Sequence, residues 1–259
     1  MTSEPRPIAI FGDWHGHLGW ALGSLDAATK AGARTLVHVG DLGLDFPGRR
    51  RGRFEKKLNR ILVEREMTLI LSLGNHDNHD TATKLEVWDD GLSSFRSNIR
   101  TLPRGGRTLI EGLTIGGLGG AYSIDRKHRT EGKDWWANEE PTQEEADLLV
   151  AGGPVDIFIT HDVPASVPMK GDLKLPANVV ARAERTRTLL DTVVRRLRPP
   201  HLFAGHWHQR RTYDLVHEAG TVTRVDVLAN EFATNGNGVL VWPSEQMPLR
   251  VEPMRITTR

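Results

Sequence analysis

Apolar residues fall in short runs along the chain, and five of these runs end in a polar residue suited to binding a metal. The runs are Pro7–Phe11, Thr35–Val39, Thr68–Leu73, Val155–Ile159 and His201–Ala204. Each reads as a β-strand by length and composition. Amphipathic stretches separate the early ones. Leu18–Lys30, closed by Gly32, reads as a helix, and so does the segment carrying Phe54, Leu58, Ile61 and Leu62. This alternation predicts a βαβ beginning with a largely parallel sheet. The middle of the chain differs. Arg107–Ile115 reads as a hairpin turning near Glu111-Gly112, followed by the glycine-rich run 116–120. That run lacks the helix and spacing of a dinucleotide motif, so a turn or a close backbone approach is expected. Residues 121–141 are expected to form a loop or insert shaping the substrate pocket, since long loops in compact domains are often functional. Thr142–Glu145 resembles a capping box opening a helix to about Val150. A second long helix is expected over Ala177–Leu197, stopped by Pro199-Pro200. Three strands, Arg211–Val216, Thr221–Leu228 and Val239–Trp242, read as an antiparallel run at the end. No internal repeat is visible.

Composition narrows the class. The chain has 259 residues, 38% hydrophobic and 26% charged, as in an ordinary globular protein. The polar residues at the strand ends extend from Asp13 to His208, so a domain boundary between them would divide the site. One domain over 1–259 is therefore expected. A formal net charge of +1 supplies no global field demanding nucleic acid or membrane. Cysteine is absent, which excludes disulfides and thiolate ligands and leaves only N and O donors for a metal. No secretory signal is visible, and no apolar stretch approaches the roughly 20 residues needed to span a bilayer. A cytoplasmic location with no membrane partner is the expectation.

The strand ends carry the chemistry. They read Asp13-x-His15, Gly40-Asp41, Gly74-Asn75-His76-Asp77, His161-Asp162 and Gly205-His206-Trp207-His208. Gathered at one edge of a sheet, imidazoles, carboxylates and one amide suit divalent ions of borderline hardness. Such a set predicts a two-metal hydrolytic centre rather than a structural site. A carboxylate between two ions offsets their repulsion, and an imidazole off the metals can protonate a leaving oxygen.

The five motifs in this order resemble those of the calcineurin-like metallophosphoesterases, over roughly residues 8 to 210. The resemblance implies an α/β fold, an αββα sandwich of two mixed sheets flanked by helices. It implies that Asp13, His15 and His208 bind one metal, that Asn75, His161 and His206 bind the other, and that Asp41 bridges them. His76 is implied as the general acid or transition-state stabiliser, with a metal-bridging hydroxide attacking a phosphodiester or phosphomonoester. Mn2+, or Fe2+ with Mn2+, is the expected pair, with Zn2+, Ni2+ or Co2+ as alternatives. The opening Gly12–Gly16 is similar to the protein Ser/Thr phosphatase branch. The run Gly40–Phe46 departs from that branch, lacking its Arg and displacing its Asp, which weakens a protein phosphatase reading. The departure leaves Asp45 and Asp77 as alternatives for the carboxylate that orients His76.

Other residues are less specific. His17, His79, His128 and His217 read as surface or packing histidines, and His38, within a strand, as core. Arg49–Arg53 with Lys56 and Lys57 forms the densest basic cluster, either a solvated loop or an attractor of polyanionic substrate. The arginines at 182, 185, 187, 195, 196 and 198 read as a solvated helix face. Arg126 and Arg129 are candidate phosphate contacts, and Trp135 a candidate pocket wall. The expected substrate is a phosphorylated small molecule or nucleotide. Two alternatives remain: a nuclease, whose nucleic-acid binding would weaken steeply with salt, and a non-catalytic scaffold of the same fold. The sequence alone sets neither the natural substrate nor the oligomeric state.

Overall fold

The computed structural model describes residues 6–258 apart from 172, 219 and 245. The expected strand–helix alternation opens it: β1 (Ile8–Phe11), α1 (Leu18–Lys30), β2 (Thr35–His38), α2 (Arg53–Glu64) and β3 (Thr68–Leu71). A short helix α3 (His79–Ala82) and two short strands, β4 (Ser93–Ser94) and β5 (Ile99–Thr101), follow. The hairpin of β6 (Arg107–Ile110) and β7 (Leu113–Leu118) turns at Glu111-Gly112 as its pattern predicts. Next come α4 (Gln143–Ala151), β8 (Ile157–Thr160), α5 (Ala177–Leu197) and β9 (His201–Ala204), then β10 (Arg211–Val216), β11 (Val222–Val227), β12 (Gly238–Trp242) and β13 (Arg250–Met254). The capping box of α4 is complete: Glu145 N–H donates to the Thr142 hydroxyl, and Thr142 N–H donates to the Glu145 carboxylate at 2.8 Å.

Two mixed sheets result. One has the order β13-β12-β1-β2-β3-β5-β4, the other β10-β11-β9-β8-β7-β6. The central strands of each are parallel, and the outer ones antiparallel. One expectation is corrected here. β12 does not continue the antiparallel run of β10 and β11. It crosses to the other sheet and pairs with β1, while β11 runs parallel to β9. A local apolar pattern marks a strand but does not name its neighbour.

Strand periodicity sorts the core into three layers. Ile8 and Ile10 of β1 join Val37, Ile70, Ile157, Ile159 and Phe203 between the sheets. Ala9 and Phe11 point the other way, to Trp20 and Leu25 of α1 and Leu58 and Leu62 of α2. Phe158 and Leu202 meet Leu149 of α4 and Leu190 and Val194 of α5 beyond the second sheet. Strands covered on both faces read as continuous apolar runs, which is why the sequence shows them so clearly. In such sheets functional side chains collect beyond the carboxyl ends of the parallel strands.

Candidate metal centre

Asp13 and His15 follow β1, Asp41 follows β2, and Asn75 and His76 follow β3. His161 follows β8, and His206 and His208 follow β9. The two sheets thus bring these residues together from opposite sides. Ligand atoms of Asp13, His15 and His208 lie within 4.8 Å of one another, and so do those of Asp41, His161 and His206. Asn75 joins the second group through its Oδ1, 3.1 Å from His161 Nε2. Asp41 stands between the groups, 3.5 Å from His15 Nε2 with one carboxylate oxygen and 3.3 Å from His161 Nε2 with the other. Imidazole nitrogens, carboxylates and one amide oxygen, with no sulfur, are a donor set that fits two divalent ions.

The backbone is bent to make this cluster. Nine described non-glycine residues have φ in the left-handed range, and four of them belong to the donor set: His15 at 43°, Asp41 at 56°, His206 at 64° and His208 at 53°. Each such residue costs on the order of 1–3 kcal/mol and persists only where the surroundings enforce it. Gly40, at φ 118°, permits the approach, because a Cβ there would strike the His161 imidazole.

Surrounding groups fix the rings. His161 Nδ1 lies 3.0 Å from the Val39 carbonyl, which can only accept, so Nδ1 carries the proton and Nε2 faces the cluster. Glu231 meets His15 Nδ1 at 2.7 Å and turns its Nε2 inward in the same way. Asp77 accepts from the N–H groups of Asp41, Gly43, Leu44 and Gly74 at 2.8–3.0 Å, tying the β2 and β3 loops together. The Asn75 amide donates to Ser123 Oγ at 3.1 Å, and that hydroxyl donates to Glu139 at 2.6 Å, leaving Asn75 Oδ1 toward His161. Trp207, between the two terminal histidines, donates its indole N–H to Asp162 at 2.8 Å.

The charges follow from these contacts. Burial disfavours imidazolium, yet the hydrogen bond and charge of Asp41 prevail and push His15 up to about 10 and His161 up to about 9 in the metal-free protein. Burial likewise opposes ionisation of Asp41, but the surrounding imidazoles hold it well below the usual carboxylate range. A field that retains protons on imidazole nitrogens also attracts cations, and a metal bound there would release those protons. His76 shifts the other way, lowered chiefly by burial, with the Arg129 guanidinium also lowering it and Asp41 opposing.

The remaining sequence candidates separate. Arg129 reaches the cluster, with its guanidinium nitrogens 3.0 and 3.1 Å from the His76 ring nitrogens. Arg126 instead stacks on Tyr122 and Trp135, at 4.3 and 5.4 Å from the ring centroids, and Trp136 is buried against Phe46. Neither carboxylate proposed to orient His76 bonds to its ring among the described residues. Asp77 is committed to backbone N–H groups, and Asp45 accepts from Arg51 and Thr81. His38 is buried in the core, and burial pushes it down to about 3. His79 is a packing residue, its Nε2 2.8 Å from the Gly74 carbonyl. The supporting residues Glu231, Glu139 and Asn237 escaped the sequence reading, while Ser123, in a segment expected to wall the pocket, instead supports Asn75. Glu231 had a usable signal, since it too follows a strand. Asn237 had none, although its amide joins Trp14, Trp20 and the Ala229 carbonyl beneath the Asp13 turn.

Two face-to-face sheets between helical layers, with a His/Asp/Asn cluster at the strand ends, define the metallophosphoesterase class of architecture. The model of the calcineurin-like phosphoesterase family matches residues 6–210, and the chain belongs to that family. Among solved structures, a dimetal phosphatase from Danio rerio aligns with a TM-score of 0.59 at 12% identity, over 99% of this chain and 98% of that one. The protein TT1561 of Thermus thermophilus aligns with a TM-score of 0.58 at 15% identity, over 96% of this chain and 98% of that one. At these identities the likeness concerns the fold. No match was found among curated protein sequences. No described helix is long and apolar enough to cross a membrane.

Proposed function

We propose that this chain is a two-metal phosphoesterase hydrolysing a phosphodiester or phosphomonoester bond of a small phosphorylated molecule or nucleotide. Asp13, His15 and His208 would hold one ion, Asn75, His161 and His206 would hold the other, and Asp41 would serve both. Mn2+, or Fe2+ with Mn2+, is the pair this N/O set favours. When bound, the ions supply positive charge to the phosphoryl oxygens and activate water. The observation that carries the reading is the position of Asp41, between His15 and His161, each of which belongs to its own donor group.

The chain's own residues complete the reaction. Asp41 also accepts the His76 N–H at 2.7 Å, which fixes that loop beside the phosphoryl position. Arg129, held by both carboxylate oxygens of Asp125 at 2.7 and 2.8 Å and by the Asp134 carbonyl at 2.9 Å, places its positive charge against the His76 ring. As the oxygen of water bonds to phosphorus and gives up one proton to solvent, the bond to the leaving oxygen breaks, and His76, as its imidazolium, delivers the proton that oxygen takes. The negative charge of a bound phosphoryl group opposes the lowering of the His76 pKa by burial and Arg129.

Mn2+-dependent hydrolysis of bis-p-nitrophenyl phosphate and p-nitrophenyl phosphate tests this. Turnover of at least one ester is expected, with His76→Asn lowering it about 10²–10⁴-fold and Asp41→Asn removing it together with metal loading. Protein shown by elemental analysis to hold two ions, yet inert on both esters and on a panel of nucleotides, would overturn the reading.

A further inference from the structure

A cavity of about 280 Å³ opens beside the metal centre, and the proposed chemistry leaves it without a role. His15 and His76 of the cluster line it, together with Phe46, Pro47, Phe54 and Arg50. We propose that this cavity receives the leaving half of the substrate, and that this half is a single ring system carrying a second anionic group, as in an aryl or nucleoside phosphate unit. The inference rests on the phosphoesterase reading above and deepens it.

Position comes first. His76, the residue assigned to protonate the leaving oxygen, lines the cavity, so a group departing toward His76 departs into this space. Shape follows. Half-buried Phe46, Pro47 and Phe54 offer apolar surface, while Gly16 and Gly43 leave bare backbone in the lining. Flat rings stack on such aromatic faces in offset or edge-on arrangements. Small-molecule pockets begin at roughly 300 Å³, so this one is sized for a single ring system.

Charge decides the rest. Arg51 is committed to Asp45, with its Nε 2.7 Å from one carboxylate oxygen. Buried Glu55 accepts the Asp45 N–H at 2.5 Å and is held by that bond. Arg50 is exposed and its side chain has no hydrogen bond or ion pair among the described residues, so its guanidinium is the available cation on the wall. Arg49, Arg53, Lys56 and Lys57 surround it in sequence and outweigh the charge of Glu55. A guanidinium pairs in fork geometry with carboxylate or phosphate. The basic cluster that the sequence left between a solvated loop and an anion attractor therefore gains a role.

The test compares two diesters with leaving phenols of similar acidity, methyl phenyl phosphate and methyl 3-carboxyphenyl phosphate, on Mn2+-loaded full-length protein, followed by phosphorus NMR. The carboxylated ester is expected to show the lower KM. Arg50→Ala should raise that KM about tenfold while leaving kcat and the parameters of the plain phenyl ester unchanged. Phe54→Ala should raise KM for both esters. Equal effects of Arg50→Ala on the two esters, or none on either, would overturn the pocket assignment while leaving the phosphoesterase reading intact. Preference for a single-stranded oligonucleotide, with binding that falls steeply with salt, would replace the small ligand by a polymer. Inactivity of the metal-loaded protein on these diesters and on the p-nitrophenyl esters alike would remove the underlying reading and the pocket with it.

Discussion

At the scale of single residues, the side chains that the structure gathers at the strand ends were legible, and the groups that aim them were not. Asp13, His15, Asp41 and the histidines stand next to glycines and apolar runs, a local pattern. Glu231 reaches His15 across 216 positions of sequence, and Glu139 reaches Asn75 only through Ser123. No local period encodes such contacts. Glu139 offers a direct check on this second layer. Burial pushes its carboxyl up to about 7, although both Ser123 hydrogen bonds lower it. Between its ordinary value of 4.5 and about 7 the folded protein binds more of this proton than the unfolded chain. The stabilisation is therefore full below 4.5 and declines as pH rises through 7. Urea unfolding of metal-free Glu139→Gln and wild-type protein at pH 4.5, 5.5 and 7 should show a smaller fall with pH in the variant. Parallel curves would mean that Glu139 titrates normally in the fold.

At the scale of elements, buried apolar strands and amphipathic helices were readable, whereas α3, β4, β5 and β13 were not. β5 spans three residues with a central arginine, and β13 carries Arg250, Glu252 and Pro253 at a sheet edge. Their identity comes from the strand beside them rather than from their own pattern. The C-terminal segment nonetheless bears on the first helix. Glycine inside a helix ordinarily costs roughly 0.5–1 kcal/mol relative to alanine, so Gly19 and Gly23 of α1 both look like sites for stabilisation. The structure separates them. A Cβ on Gly19 meets nothing nearer than the His17 ring at 3.4 Å, but on Gly23 it would lie 2.6 Å from the Thr257 carbonyl oxygen. Ile256, fully buried next to that carbonyl, anchors the segment against movement. Gly19→Ala is expected to be neutral or stabilising by up to about 1 kcal/mol, and Gly23→Ala destabilising by about 1–3 kcal/mol through overpacking. Urea midpoints of the two variants decide it. An equal gain at both sites would show that α1 does not bear on residues 256–257 as described.

At the scale of the whole molecule, the donor set is divided between the sheets. Asp13, His15, Asp41 and Asn75 come from one, and His161, His206 and His208 from the other. The sheets meet here through the His161–Val39 hydrogen bond and through imidazole–carboxylate contacts such as His208 with Asp13 at 3.3 Å. Ions bound by ligands from both sheets would make metal binding part of the folding free energy, since the unfolded chain has no comparable site. At a free concentration one hundred times its dissociation constant, an ion stabilises the folded state by about 2.7 kcal/mol. For a chain of this size each kcal/mol moves the melting temperature by roughly 2–4 °C. Calorimetry of chelator-treated protein is therefore expected to show a transition roughly 5–10 °C lower than with excess Mn2+ for one ion at that saturation, and lower again if both sites fill. Asp41→Asn should lose most of the Mn2+-dependent increment, because that one carboxylate lies between both donor groups. His128, exposed and outside the cluster, supplies the control, and His128→Asn should keep the full increment. A melting temperature indifferent to Mn2+ in the wild type, at concentrations that load the protein, would mean that the ions do not join the sheets, and the division of ligands between them would carry no energetic weight.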